Sequence, residues 1–256
     1  MLDSRLRGND SEKKKGGSNQ RPEIWFSDKT DVAVLKTGEI FLAMFGGTPE
    51  YLSEPGLTPH HIWWKGFGDV FSCPGGPSKA RYGKRSDQGS SENFFAPIAK
   101  NGDEWAVPAH KKAASFVLKD DQIHQKYDCG AFVVERVAGI ENDALVFTDE
   151  ITFNETREFK EFRFFNFPVQ VDKFEIEIQN AQRAVLRLKN GKSGSASLDA
   201  ERLVIEIEGS DAPFEMADLI LGAKGRLQPL VKRERNFYTE AGKKHTLKIR
   251  IFAQSA

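Results

Sequence analysis

The stretch Leu247-Lys248-Ile249-Arg250-Ile251 alternates aliphatic and charged residues, the period of a β-strand with one face in a core and the other in water. Working outward from it, the same period returns upstream. Leu203, Ile205 and Ile207 alternate with Glu206 and Glu208, and Phe174, Ile176 and Ile178 alternate with Glu175 and Glu177. Val185 and Leu186 lead into Arg187-Leu188-Lys189-Asn190-Gly191, whose Asn-Gly pair signals a hairpin turn. The N-terminal half carries fuller strands: Val32 to Lys36, Glu39 to Phe45, His61 to Lys65, Val70 to Ser72, Phe116 to Lys119, Ala131 to Arg136 and Ala144 to Phe147. Their apolar runs predict burial on both faces, as between two sheets. Gly, Pro, Asn and Asp punctuate these segments about every 8 to 12 residues, as in stacked antiparallel strands. Only Phe214 to Leu221 carries a helical reading, with Gly222 as its stop. The expectation is an all-β chain: one large antiparallel β-sandwich, of the supersandwich kind, over residues 23–256.

Composition agrees with one substantial domain. The chain has 256 residues, 39% hydrophobic and 29% charged, too apolar for a disordered polymer. Lys plus Arg and Asp plus Glu number 37 each, so no global field draws the protein to nucleic acid or anionic lipid. No nucleic-acid partner is expected. The apolar runs Ile40 to Phe45 and Ala131 to Val134 fall far short of the roughly 20 residues that cross a bilayer as a helix, so no membrane partner is expected either. Cys73 and Cys129 make neither a disulfide framework nor a four-ligand zinc site. They are read as buried thiols or, in an exported protein, as a pair.

Residues 1–22 combine few apolar side chains with a Lys13-Lys14-Lys15 cluster and a Gly/Ser segment, and are expected to form a disordered tail. No secretory signal can be drawn in them. A cytoplasmic location is the default, and a periplasmic or secreted one follows if the N-terminus is incomplete. The decapeptide Met1 to Asp10 resembles translated copies of a dispersed bacterial intergenic repeat. That resemblance implies a reading frame that begins inside a repeat and a chain truncated from a longer ancestor.

Phe153, Phe159, Phe162, Phe164, Phe165 and Phe167 crowd one stretch of a chain with 20 phenylalanines. Core packing between sheets is the plain reading; a sugar-stacking platform is the alternative, for which Trp or Tyr is the more usual choice because each adds a polar handle.

The segment from Leu35 to Arg85 holds the residues with chemistry. A Lys36-Thr37-Gly38 turn precedes Glu39-Ile40-Phe41-Leu42-Ala43-Met44-Phe45-Gly46-Gly47, and a Pro/Gly loop leads to His60-His61-Ile62-Trp63-Trp64-Lys65-Gly66-Phe67-Gly68-Asp69-Val70. Arg81-Tyr82-Gly83-Lys84-Arg85 follows in a Gly/Ser-rich stretch read as a mobile surface loop. The strand, the His-then-Trp-Trp segment and the Gly-x-Gly-Asp-Val turn resemble the β-sandwich part of heparinase II/III-like polysaccharide lyases. In that family the sandwich follows an α/α-toroid that supplies much of the catalytic machinery, and no segment here has the helical pattern of a toroid. The resemblance therefore implies a carbohydrate-associated, non-catalytic fragment with an acidic polysaccharide as partner. Its alternatives are a lyase cleaving a uronate-containing polysaccharide by β-elimination, and a degenerate remnant. A remnant would expose an apolar face open to self-association.

For β-elimination the chain offers His60, His61 and Tyr82 as base or acid, and Trp63, Trp64, Lys65, Arg81 and Lys84 as substrate-binding residues. Neighbours on a strand point to opposite faces, so one of His60 and His61, and one of Trp63 and Trp64, faces any given site. A surface or strand-capping histidine and a core tryptophan are the plain alternatives. The adjacency of the histidines also argues against a metal site, and no cofactor is expected. His124, Lys126 and Asp128 share one strand face, read as wet, opposite Ile123 and Tyr127. His110-Lys111-Lys112 is a further His-bearing patch without a matching motif.

Overall fold

The computed structural model describes residues 21–47, 57–72, 95–102, 104–106, 113–189, 200–222 and 225–255. Residues 1–20 of the expected tail, the basic cluster at 81–85, Cys73, the 110–112 patch and the Asn190-Gly191 turn lie outside the described residues. All described regular structure is strand, and every strand pairing is antiparallel.

The first sheet is a meander in chain order: β1 (Glu23–Ser27), β2 (Val32–Lys36), β3 (Ile40–Phe45), β4 (His61–Trp64) and β5 (Gly68–Ser72). Next come β6 (Ile98–Asn101), β7 (Glu104–Ala106), β8 (Ser115–Lys119), β9 (Gln122–Asp128), β10 (Phe132–Glu141), β11 (Ala144–Phe153) and β12 (Arg157–Gln170). The chain continues through β13 (Phe174–Asn180), β14 (Arg183–Leu188), β15 (Ala200–Glu208), β16 (Phe214–Met216), β17 (Ile220–Gly222), β18 (Gly225–Thr239) and β19 (Lys244–Ser255). The second sheet runs β13-β14-β15-β19-β11-β10-β9-β8, and the third runs β16-β18-β12-β6-β7 with β17 also on β18. The alternation at 247–251 belongs to β19, which sits inside the large sheet between β15 and β11 and hydrogen-bonds to both. Its Leu247, Ile249 and Ile251 are buried, as the two-residue period requires.

One core joins the three sheets. The ring of Phe95, just before β6, lies 6.0 Å from Phe71 of the first sheet, 4.9 Å from Phe147 of the second, and 5.8 and 5.0 Å from Phe165 and Phe167 of the third. All six phenylalanines between 153 and 167 are buried, so core packing is their role. Arg136 of β10 points into this core and pairs bidentately with Asp149 of β11, Nε to Oδ1 and Nη2 to Oδ2 both at 2.6 Å. Its Nη1 donates to the carbonyls of Leu57 and Phe95, each at 2.9 Å. The guanidinium thus fastens two loop ends to the large sheet.

Two expectations are corrected. Phe214 to Leu221 is not a helix: β16 and β17 pair with β18 instead, and Phe214 turns inward against Phe165 at 5.9 Å. The weak helical period gives way to a long neighbouring strand that offers hydrogen bonds and a core position. Burial on both faces holds for the start of β11, where Ala144 to Phe147 are all buried, but not for β2, where every second residue is partly or fully exposed, nor for β8, where all five residues are. β2 has one wet face, and β8 is an edge strand whose Phe116 and Leu118 are only partly covered.

Candidate functional site

The wet face of the first sheet brings three of the sequence candidates, His61, Trp63 and Lys65, together with residues that the sequence reading did not single out. Register places Glu23, Lys36, Phe41, Trp63 and Asp69 in one cross-strand row. Trp25, Val34, Ala43 and His61 form the next. The opposite face carries Leu35, Ile40, Leu42, Met44, Ile62 and Trp64 into the core. Strand alternation therefore separates the two tryptophans of β4. Trp64 is 2% exposed and is withdrawn from the set of ligand-facing residues, whereas Trp63 lies half-buried on the wet side.

His61 lies on that side too. Its Nε2 is 3.1 Å from Asp69 Oδ1, and its ring meets Phe41 edge-on at 5.8 Å. Asp69 reaches it because the β4–β5 hairpin turns through Gly66 and Gly68, at φ +82° and +65°, and the register then shifts by one residue between Ile62 and Trp63. A carboxylate at this distance orients an imidazole. Lys173, from the turn between β12 and β13, donates its Nζ to the Asp69 carbonyl at 2.6 Å. Burial pushes the Lys173 amine below the usual lysine range, while the Asp69 charge pulls it the other way. Lys65 is held by Glu39 at 2.7 Å across the β3–β4 pairing. His60 is exposed at the strand entrance, away from the His61 row, and its backbone N–H donates to the Ala43 carbonyl.

Arg81, Tyr82 and Lys84 fall outside the described residues. Their segment follows Ser72, the residue paired with His61, and rejoins the fold at Phe95, whose carbonyl Arg136 holds. Among the described residues no group of three His, Cys, Asp or Glu side chains is placed to hold a metal ion.

A sheet with this strand order, built round one aromatic core and joined by a meander of five strands, can be compared with known folds. The chain folds like part of heparinase III. One heparinase III structure superposes with a TM-score of 0.62 at 8% identity, over 94% of this chain and 38% of that one. A second gives 0.61 at 11% identity, over 91% and 37%. A 4-alpha-glucanotransferase from Thermococcus litoralis gives 0.53 at 9% identity, over 91% and 41%. The chain thus spans well under half the length of the heparinase III structures it resembles. No protein-family model and no curated protein sequence matches it. The heparinase-like sandwich expected from the His-Trp-Trp segment is the fold observed, and it is one that carbohydrate-active proteins share.

Trp25, Phe41, Asp69 and Lys173 were the residues missed. Trp25 is 53% exposed, yet in Glu23-Ile24-Trp25-Phe26-Ser27 it looks like any core aromatic until the register shows which face it occupies. Asp69 and Lys173 are 104 residues apart, and no local pattern links them.

Proposed function

We propose that this chain is a carbohydrate-binding β domain that works without catalysis of its own and holds a saccharide on the wet face of its first sheet. The observation that carries this reading is the placement of Trp25, Phe41 and Trp63 on one face beside the His61–Asp69 pair. Aromatic faces stack on the apolar faces of sugar rings, and a carboxylate and an imidazole beside them offer hydrogen bonds to hydroxyl groups. The fold shared with heparinase III supports the same reading; the activity of those longer proteins is not carried over with it.

A second reading, uronate β-elimination with His61 as base and Tyr82 as acid, is favoured by the 3.1 Å His61–Asp69 contact, which primes an imidazole for proton transfer. Two assays separate the readings. Affinity electrophoresis through gels containing polysaccharides should retard the protein, and Trp25→Ala with Trp63→Ala should abolish the retardation. Absorbance of unsaturated uronate should stay flat; release that disappears in His61→Ala would replace binding with catalysis.

A further inference from the structure

The charges on the same face bear on which sugar it takes. Around the Phe41–Trp63 row lie Lys36, Lys65, Glu23, Glu39 and Asp69, and Lys173 reaches in from the rim. Three lysines meet three carboxylates, and each lysine is already engaged: Lys36 with Glu23 at 3.7 Å, Lys65 with Glu39 at 2.7 Å, and Lys173 with the Asp69 carbonyl at 2.6 Å. Asp69 is 48% exposed at the end of the Phe41–Trp63 row, with His61 Nε2 3.1 Å from its Oδ1.

Resting on the carbohydrate-binding reading, we infer that the ligand of this face is an uncharged oligosaccharide, with Asp69 as the residue that sets the preference. A hydroxyl group donates to a carboxylate in a charge-assisted hydrogen bond. A uronate or sulfated sugar in the same place brings like charge against Asp69 and must displace lysines from their partners. The geometry also sets a minimum length. Trp25 and Trp63 are separated by three strand spacings and one two-residue step, about 16 Å, so a ligand touching both spans several rings and crosses the strands obliquely.

Calorimetric titration of the full chain with neutral glucan, mannan and xylan oligosaccharides, and with oligogalacturonate and oligoalginate of matched length, tests this at about 50 and 300 mM salt. A neutral oligosaccharide should bind with an affinity that changes less than about twofold with salt, since no counterions are released. Asp69→Asn, a solvent-exposed change checked for folding by circular dichroism, should weaken that ligand about tenfold and strengthen binding of the uronates. Uronates that bind more tightly than every neutral ligand, with affinity collapsing in salt, would overturn the inference and leave the binding reading standing. Silence toward both kinds of ligand would overturn the binding reading itself.

Discussion

Gly209, at the end of β15, has φ +91°, and a β-carbon there would sit 1.9 Å from the Thr246 carbonyl oxygen on β19. Neither the conformation nor the space admits a side chain, so Gly209→Ala should cost roughly 3 kcal/mol in urea denaturation. Arg136 answers to a different constraint. Removing it strands the Asp149 charge and two carbonyls in the core, and Arg136→Ala should cost about 3 to 5 kcal/mol. The double variant Arg136→Met with Asp149→Leu should lose less than that single change, because no charge stays behind unpaired. His245 is a third case, packed among Phe153, Phe164 and Phe237 with its buried Nε2 lacking a hydrogen-bond partner. Burial first, and then the Lys243 charge, hold its imidazole below the ordinary histidine value. The unfolded chain therefore binds the proton more readily, and stability should fall as pH drops below about 6.5, a slope that His245→Gln should flatten.

At the scale of elements, Lys232 ties the third sheet to the second. It lies on β18, fully buried, and donates its Nζ to the Ala181 carbonyl in the β13–β14 turn at 2.6 Å, while resting over the Phe214 ring. Burial lowers its amine to about 8, against the opposing pull of Asp211. Between pH 8 and about 10.5 the unfolded chain holds a proton that the folded one releases, so thermal stability should rise across that window. Below pH 8 both states are protonated and the lysine contributes no slope. Lys232→Met should remove the rise, and an unchanged profile would mean that the amine is better solvated than its setting implies. Elements also mark what could be read in advance. Strands with one wet face, such as β13, β15 and β19, show the two-residue period openly, and Leu247 to Ile251 suffices to place one. The same period runs through β4 and correctly parts His61 from His60, and Trp63 from Trp64. It cannot say which face is the core, because that depends on where the other two sheets pack. Phe214 to Leu221 misled for a related reason: two three-residue strands are too short to display a period, and only β18 alongside gives them their form.

Across the whole molecule, Phe95 links three sheets through four ring contacts, so the sheets should melt as one unit. Tryptophan fluorescence, to which the first sheet contributes Trp25, Trp63 and Trp64 and the third sheet Trp105, should report the same transition as far-ultraviolet dichroism of all three. Phe95→Ala should lower stability by about 3 to 5 kcal/mol, and separated transitions in that variant would assign the coupling to this ring. The core was legible as a crowd of phenylalanines between 153 and 167, but the bulge that brings Asp69 to His61 and the remote turn that brings Lys173 to Asp69 are not revealed by composition. The position of β19 has a consequence for how the protein is made. A ribosome finishes β11 about 100 residues before it finishes β19, roughly 5 to 20 s at ordinary rates of synthesis. For that interval β11 waits with a bare edge on the nascent chain, β15 joins it for about the second half, and the large sheet closes only when β19 slides in between them. Closure of the large sheet thus waits on its nineteenth strand, and the waiting edges are where a chaperone would have to stand guard.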